Sequence, residues 1–160
     1  MQHRPRGGTE CGGDMIEQTT RYGMGATVDL PYASAVELVR EALAEQGFGV
    51  LTEIDMKATL RNKTGADFRP YVILGACNPT LALRALQVER DIGLLLPCNV
   101  IVYAADRPDR SVIAALDPAA ALSLADNTEL AEVALAVRER LMAALGHVAE
   151  AAGALSTTAG

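Results

Sequence analysis

The spacing of hydrophobic residues changes several times along the chain, and each change predicts where one element ends and the next begins. Residues 22–30 predict a strand that leads to Pro31. Apolar residues then recur at helical spacing over residues 36–43, and Gly47 marks the end of this amphipathic helix. The chain is therefore expected to begin its fold with a strand followed by a helix.

The middle of the chain alternates short strands with short helical segments. Residues 48–54 alternate in the manner of a strand whose better-buried face carries Phe48, Val50, Thr52 and Ile54. A short helical or irregular insert is expected over residues 56–63. The next strand is expected over residues 71–77, followed by a helix over residues 79–88 that has its proline in the first turn, where no backbone N–H is needed.

The second half predicts a hairpin and a long helix. Residues 92–105 are apolar and rich in branched side chains, which predicts a strand in the middle of a sheet. Pro97 cannot donate to a sheet ladder, so it marks an edge or a bulge. A turn over residues 107–109 leads to a strand over residues 111–116. The last helix is expected to start near residues 126–127 and to end at Gly146.

Together these elements predict an α+β fold of β-α-β(4)-α order, with an antiparallel sheet packed against helices. The chain has 160 residues, of which 50% are hydrophobic, and this is enough for one domain with its own core. We assign residues 15–150 to this domain. Residues 1–14 are rich in glycine and predict a disordered tail, and residues 151–160 predict a frayed C-terminal tail.

Charge and hydropathy exclude two classes of partner. The formal net charge is −6, from 14 basic and 20 acidic residues, and it disfavours binding to nucleic acid. No apolar stretch approaches the roughly 20 residues of a membrane span, and the N-terminus lacks the apolar core of a secretory signal. We therefore expect no membrane association and a cytoplasmic location, where the three cysteines would be reduced thiols.

Several kinds of catalytic site lack their parts in this sequence. The two histidines are His3, in the N-terminal tail, and His147, near the expected end of the last helix. Neither suits the base of a Ser-His-Asp or Cys-His site. There is no phosphate-binding glycine loop, and Gly23 and Gly25 precede a strand rather than follow one. No catalytic residue is predicted, and the sequence leans against an enzyme.

Two cysteines lie beside residues that interrupt regular strand pairing. Cys77 precedes Asn78 and Pro79, and Cys98 stands between Pro97 and Asn99. Two neighbouring thiols would suit a soft metal such as Cu(I) or Zn, or reversible disulfide chemistry. Free cysteine is also among the most buried residue types, so both could equally be packed core thiols.

Five polar residues are the other candidates for ligand binding. Glu53 and Asp55 lie on one side of the second strand, so they could supply oxygen ligands or an acid and base pair, or simply form a solvated strand edge. Arg69 could bind a carboxylate, or pair with Asp67 or Asp55 at the surface. Asn78 and Asn99 could contact a ligand or cap loops by binding nearby backbone. The predicted ligand-binding residues are thus Glu53, Asp55, Arg69, Asn78 and Asn99.

Three segments carry a family resemblance. Residues 47–55 (GFGVLTEID), 68–79 (FRPYVILGACNP) and 93–102 (GLLLPCNVIV), in this order and spacing, resemble the domain of unknown function 302 family, or DUF302. The resemblance covers about residues 22–145. It implies a fold similar to the TATA-binding-protein-like class, without any implication of DNA binding, and a homodimer. It implies no reaction, so no catalytic role is carried over.

Two functions follow as hypotheses. The first is a non-enzymatic ligand-binding or regulatory homodimer that holds an unidentified small ligand or protein partner. The alternative is a thiol-dependent protein that binds a soft metal or acts in redox chemistry through Cys77 and Cys98.

Overall fold

Six strands form one open antiparallel sheet in the computed structural model, which describes residues 16–158. The strand order is β1-β2-β6-β5-β4-β3, so β5 lies inside the sheet and β3 forms one edge. The strands are β1 (Glu17–Gln18), β2 (Gly23–Val28), β3 (Gly49–Asp55), β4 (Tyr71–Cys77), β5 (Cys98–Ala104) and β6 (Ser111–Leu116). The expected α+β class with an antiparallel sheet and packed helices is confirmed.

The described residues form five helices, and four of them, joined through the last, pack together on one face of this sheet. They are α1 (Tyr32–Glu45), α2 (Met56–Thr64), α3 (Pro79–Val88), α4 (Pro118–Leu122) and α5 (Thr128–Thr158), with 3-10 turns at Arg90–Leu95 and Ser123–Ala125. Helix α5 contacts α1, α3 and α4, and both α1 and α5 contact the sheet. Within the described range, no helix combines the length and the apolar character needed to cross a membrane.

The core lies between this helical layer and alternate residues of the strands. Met24, Ala115, Val100 and Leu74 pair across β2, β6, β5 and β4, and each is at most 3% exposed. Because paired residues of an antiparallel sheet point to the same side, this row marks the face that the helices cover. Helix α1 contributes its apolar stripe to the same core and ends before Gly47, whose φ of 80° favours glycine.

Three expectations about the elements are wrong. The expected strand over residues 92–105 begins only at Cys98, because residues 90–95 form a 3-10 turn ahead of Pro97. In β3 the register shifts between Val50 and Thr52, so the expected single buried face does not exist and six of its seven residues are exposed. The last helix continues through Gly146 to Thr158, since apolar residues at helical spacing remain buried as far as Ala152.

Two further elements have no counterpart in the sequence pattern. The two-residue strand β1 and the five-residue helix α4 are too short to give a recognisable period. Residues 151–158, which we assigned to a frayed tail, belong to α5. The predicted tail over residues 1–14, with His3 and Cys11, lies outside the described residues.

Candidate functional site

The face of the sheet opposite the core carries no charged residue on any of its five long strands. We call this surface the open face. Its row from β2 to β3 consists of Gly25, Ala114, Ile101, Ile73 and Ile54, which pair in that order. The other positions of the open face are Gly23, Thr27, Leu116, Val112, Asn99, Tyr103, Tyr71, Gly75, Cys77, Thr52 and Gly49. Such a surface is unusual for a chain in which 21% of residues are charged.

Aromatic residues are concentrated at the same surface. The chain has only six, and the rings of Tyr71 and Tyr103 stack on the open face with centroids 5.1 Å apart. Phe68 lies against Tyr71 with a centroid distance of 6.0 Å. Burial raises the pKa of Tyr71, and the nearby Tyr103 and Tyr22 raise it further. Four of the six aromatic side chains therefore lie on or beside this face.

A cleft of about 500 Å³ opens at one end of the sheet, where β2 and β5 begin and β6 ends. We call it the cleft. Its walls come from the turn before β2, the segment before β5, and the region of α4. The lining residues are Arg21, Tyr22, Leu94, Leu95, Leu96, Pro97, Asn99, Leu116, Ala120, Ala121 and Leu124. Since Asn99 and Leu116 also belong to the open face, the cleft and that face adjoin.

One wall of the cleft depends on a glycine, Gly75, because a side chain at this position would collide with its neighbours. Gly75 pairs with Asn99 across β4 and β5, and a Cβ atom at Gly75 would lie 2.8 Å from Cγ of Pro97. The same Cβ would lie 2.1 Å from Oγ1 of Thr52 on the other neighbouring strand. Glycine therefore lets both side chains close over β4, and it lets Pro97 lie against the sheet where it lines the cleft.

Hydrogen bonds and an ion pair hold the other walls of the cleft, which are formed by the turn before β2 and by the region of α4. The N–H of Asp117 donates to the carbonyl of Tyr22 at 2.7 Å, which ties the turn before β2 to the start of α4. The Asp117 side chain accepts from the N–H of Ala119 at 3.0 Å and caps α4. Arg138 of α5 pairs with the same carboxylate at 3.2 Å. These bonds fix two cleft walls relative to the core.

The cleft is apolar apart from a few polar groups at its lining. Among the described lining residues Arg21 is the single charged one, and Asn99 and Tyr22 add an amide and a hydroxyl. Among residues 16–158, Arg21 forms neither an ion pair nor a side-chain hydrogen bond. Apolar walls with a few polar groups are the lining found in small-molecule sites, and this cleft is open to solvent, since Leu94 and Leu124 are 88% and 78% exposed.

Of these lining residues, only Asn99 is predicted from the sequence as a site residue. Leu94 and Leu96 are expected in a buried strand, whereas Leu94 is 88% exposed. The available signal was the run of three leucines directly before Pro97, because a proline at that point argues against a continuous central strand. Nothing in the sequence pattern marked Arg21, since the two-residue β1 that precedes it has no period.

The two predicted thiols lie on opposite faces of the sheet. Cys98 pairs with Ala76 and points into the core, whereas Cys77 is the neighbour of Ala76 and points to the open face. Burial raises the pKa of Cys98 to about 11, with a smaller contribution from Cys77, and burial also raises the pKa of Cys77. Both thiols are free and protonated at neutral pH. Because they lie on opposite faces of the sheet, they do not point toward a shared metal position.

The described residues contain no group of three or more His, Cys, Asp or Glu side chains able to hold a metal ion. Metal or redox chemistry at Cys77 and Cys98 stays a prediction, and no contact in residues 16–158 favours it.

Glu53 and Asp55 lie at the β3 edge, on the side of the sheet that faces α1. Glu53 pairs with Arg40 of α1. Asp55 accepts from the N–H of Ala58 at 2.9 Å and caps α2. The pKa of Tyr32 is raised by burial first and then by Asp55 and Glu53, which places all three side chains near one another. Each carboxylate thus has a structural partner, and neither lies in the cleft.

Arg69 and Asn78 also have partners within the fold. Arg69 donates to the carbonyl of Ala104 at 3.0 Å and to Asp106 at 3.2 Å, rather than to Asp67 or Asp55. Asn78 is 7% exposed, and its side chain caps α3 by accepting from the N–H of Leu81 at 3.2 Å. Of the five predicted ligand-binding residues, only Asn99 reaches the cleft.

Comparisons with known proteins agree with the resemblance of the three sequence segments. The family model described as "Domain of unknown function DUF302" matches residues 24–148. The crystal structure of an uncharacterized conserved DUF302 protein from Bacillus stearothermophilus is similar to this chain, with 31% identity and a TM-score of 0.73. The similarity covers 79% of this chain and 97% of that one. A search of the curated proteins gives no significant match.

Proposed function

Since this chain belongs to the DUF302 family, a family of unknown function, we propose a function from its geometry: a non-catalytic, ligand-binding homodimer. Two copies associate through their open faces, and each copy holds a small molecule in its cleft. The observation that carries this proposal is the uncharged open face, which runs across all five long strands and adjoins the cleft.

The size of the open face supports a second copy as its partner. The five long strands have six or seven residues each. With strands about 4.8 Å apart and about 20 Å long, they form a face of roughly 500 Å². Two such faces bury on the order of 1,000 Å² in total, which is about the minimum area of a biological interface.

The composition of the open face supports the same partner. Interface cores are poor in charged residues and rich in aromatic ones, and this face has both properties. A face that bears no net charge also avoids repulsion between two copies of a chain whose net charge is −6. A second copy therefore fits the open face both sterically and electrostatically.

The cleft supports the ligand-binding part of the proposal. Its volume of about 500 Å³ lies within the roughly 300–1,000 Å³ of small-molecule sites. A regulatory role follows if ligand binding changes dimerisation, because the cleft adjoins the proposed interface and the two equilibria are then linked. We also place the protein in the cytoplasm as part of this proposal, which the free thiols Cys77 and Cys98 support.

The test is the solution mass of the full chain by sedimentation equilibrium, for the wild type and three lysine variants. We expect about twice 16.8 kDa for the wild type and 16.8 kDa for Ile101→Lys and Ile54→Lys, which place a charge on the open face. Leu135→Lys is the control, since Leu135 is 61% exposed on α5 and should leave the dimer intact.

Two results would overturn a dimer formed through the open face. One is a wild-type mass of 16.8 kDa at concentrations up to 100 µM. The other is a dimer that survives both open-face variants, and its loss in Leu135→Lys would then place the interface on the helical layer. Circular dichroism of each variant verifies the fold, and Ile54, 43% exposed at the edge strand, tolerates lysine even where the central Ile101 does not.

A further inference from the structure

We propose that the cleft selects an anionic amphiphile, a molecule with one apolar chain and one carboxylate or similar anionic head. This inference rests on the proposed ligand-binding function and names the chemical class of the ligand. It joins two independent observations: the exposed apolar walls of the cleft, and the charge of Arg21 at its lining.

The apolar walls call for an apolar chain. Leu94 and Leu124 line the cleft and are 88% and 78% exposed. Burying such apolar side chains away from water is favourable in free energy. Leu95, Leu96, Leu116 and two alanines complete the apolar lining. A ligand chain that enters between these residues removes apolar surface on both sides, which is the main source of affinity for such a site.

The charge at the lining selects the head group. Arg21 is the only charged residue among the lining residues that the structure describes, and none of those residues is acidic. No described acidic residue pairs with it, so its guanidinium is available to a ligand; Arg61, Arg90 and Arg140 are also unpaired among the described residues, but they do not line the cleft. A guanidinium binds a carboxylate through two parallel N–H donors, and the amide of Asn99 and the hydroxyl of Tyr22 offer further donors.

The volume of the cleft limits the length of the chain. If each carbon unit occupies roughly the 30 Å³ of a water molecule, ten units fill about 300 Å³. This fits within the cleft of about 500 Å³ and leaves room for the head group. Decanoate is therefore a suitable probe, and decanol, of the same length without the charge, is its matched neutral control.

The test is calorimetric titration of the full chain with decanoate and octanoate, kept below their micelle concentrations, and with decanol, kept below its solubility limit. We expect decanoate to bind more tightly than decanol, and octanoate to bind about 16-fold more weakly than decanoate, at about fourfold for each methylene. Arg21→Gln should weaken decanoate about tenfold and leave decanol within twofold. Arg61→Gln on the exposed helix α2 is the control and should change neither.

A second variant shows that the cleft itself is the site. Ala121 lines the cleft, so Ala121→Trp should fill it and abolish binding of both decanoate and decanol. Binding that survives Ala121→Trp would place the ligand elsewhere and overturn the inference. A circular dichroism spectrum like that of the wild type verifies that each variant is folded.

The remaining outcomes separate this inference from the function on which it rests. Equal affinity for decanoate and decanol, unchanged in Arg21→Gln, would refute the anionic head while the ligand-binding cleft stands. Failure of all three probes to bind would refute the ligand-binding cleft as well, without affecting the homodimer. Co-sedimentation with anionic phospholipid vesicles, in the absence of binding to free decanoate, would identify a membrane surface as the partner and overturn a free amphiphile.

Discussion

Gly75 offers the sharpest test of how the sheet accepts the residues that build the cleft. A Cβ atom at this position would lie 2.1 Å from Oγ1 of Thr52 and 2.8 Å from Cγ of Pro97. Both distances are far below van der Waals contact. The Pro97 ring cannot rotate away, because it is closed onto its own backbone. Gly75→Ala therefore forces either the backbone of β4 or the Pro97 segment to move.

The expected cost of Gly75→Ala follows from these contacts. Overpacking of this kind typically lowers the free energy of unfolding by about 1–3 kcal/mol. Replacing glycine by alanine also raises it by about 0.5–1 kcal/mol, because alanine restricts the unfolded chain. We expect a net loss of about 1–2 kcal/mol in the free energy of unfolding. Adding Thr52→Ala removes the Oγ1 contact but not the Pro97 contact, so the double variant should recover about half of that loss.

Urea denaturation followed by circular dichroism measures these differences as shifts of the midpoint at constant slope. Gly49→Ala is the matched control, since it lies on the same face and its nearest neighbour, the carbonyl of Cys77, is 4.0 Å from the added Cβ. That control should be neutral or slightly stabilising. A Gly75→Ala variant as stable as Gly49→Ala would refute the close approach of Thr52 and Pro97 to β4.

Two further predictions concern Cys98 and the two asparagines. Burial raises the pKa of Cys98 from 9.0 to about 11. The contribution of the buried, protonated thiol to the free energy of unfolding is therefore complete below pH 9 and is lost as the pH rises through 11. Between pH 8 and pH 10.5 the wild type should therefore lose about 2 kcal/mol more than Cys98→Ala in urea denaturation, and equal losses would contradict the burial. Asn78→Ala should cost about 1–2 kcal/mol because Asn78 caps α3, whereas Asn99→Ala, which breaks no described hydrogen bond, should stay within about 0.5 kcal/mol. Thermal unfolding of the two variants compares them, and equal destabilisation would contradict the separate roles.

Local chemistry in the sequence predicted those elements whose ends are marked by a specific residue. Asn78 and Pro79 mark the boundary between β4 and α3, and the structure places the boundary there with Asn78 as the cap. The positive φ of Gly47 likewise ends the segment after α1. Such signals act within a few residues, so they are readable without knowledge of the fold.

The remaining features depend on contacts between distant segments. Leu94 and Leu96 are apolar, as the residues of a buried strand are. They line the cleft because β5 lies next to β6 in the sheet, an arrangement that joins distant segments. The register shift in β3 moves Thr52 onto the face that it shares with Gly75, which strict alternation does not reveal. Gly146 is tolerated inside α5 because its cost of about 1 kcal/mol is small beside the packing on either side.

The candidate site was predictable only in part for the same reason. The sequence singled out polar and thiol side chains, and most of these hold the fold together: Asn78 and Asp55 cap helices, while Glu53 and Arg69 form ion pairs. The cleft is built mainly from apolar residues brought together by the topology. Asn99 is the exception, since its position directly after Cys98 made it a candidate and also places it in the cleft.

The most direct test of the central claim is an isotope-filtered NOE measurement on the isoleucine methyl groups, in a mixture of labelled and unlabelled chains. The protein has six isoleucines, of which Ile54, Ile73 and Ile101 form one row on the open face, while Ile92 and Ile113 are buried in the core. Pairing through the open face predicts intermolecular NOEs to the first three and none to the two core residues. A dimer without NOEs to Ile54, Ile73 or Ile101, or a wild-type chain that stays monomeric throughout, would contradict the account.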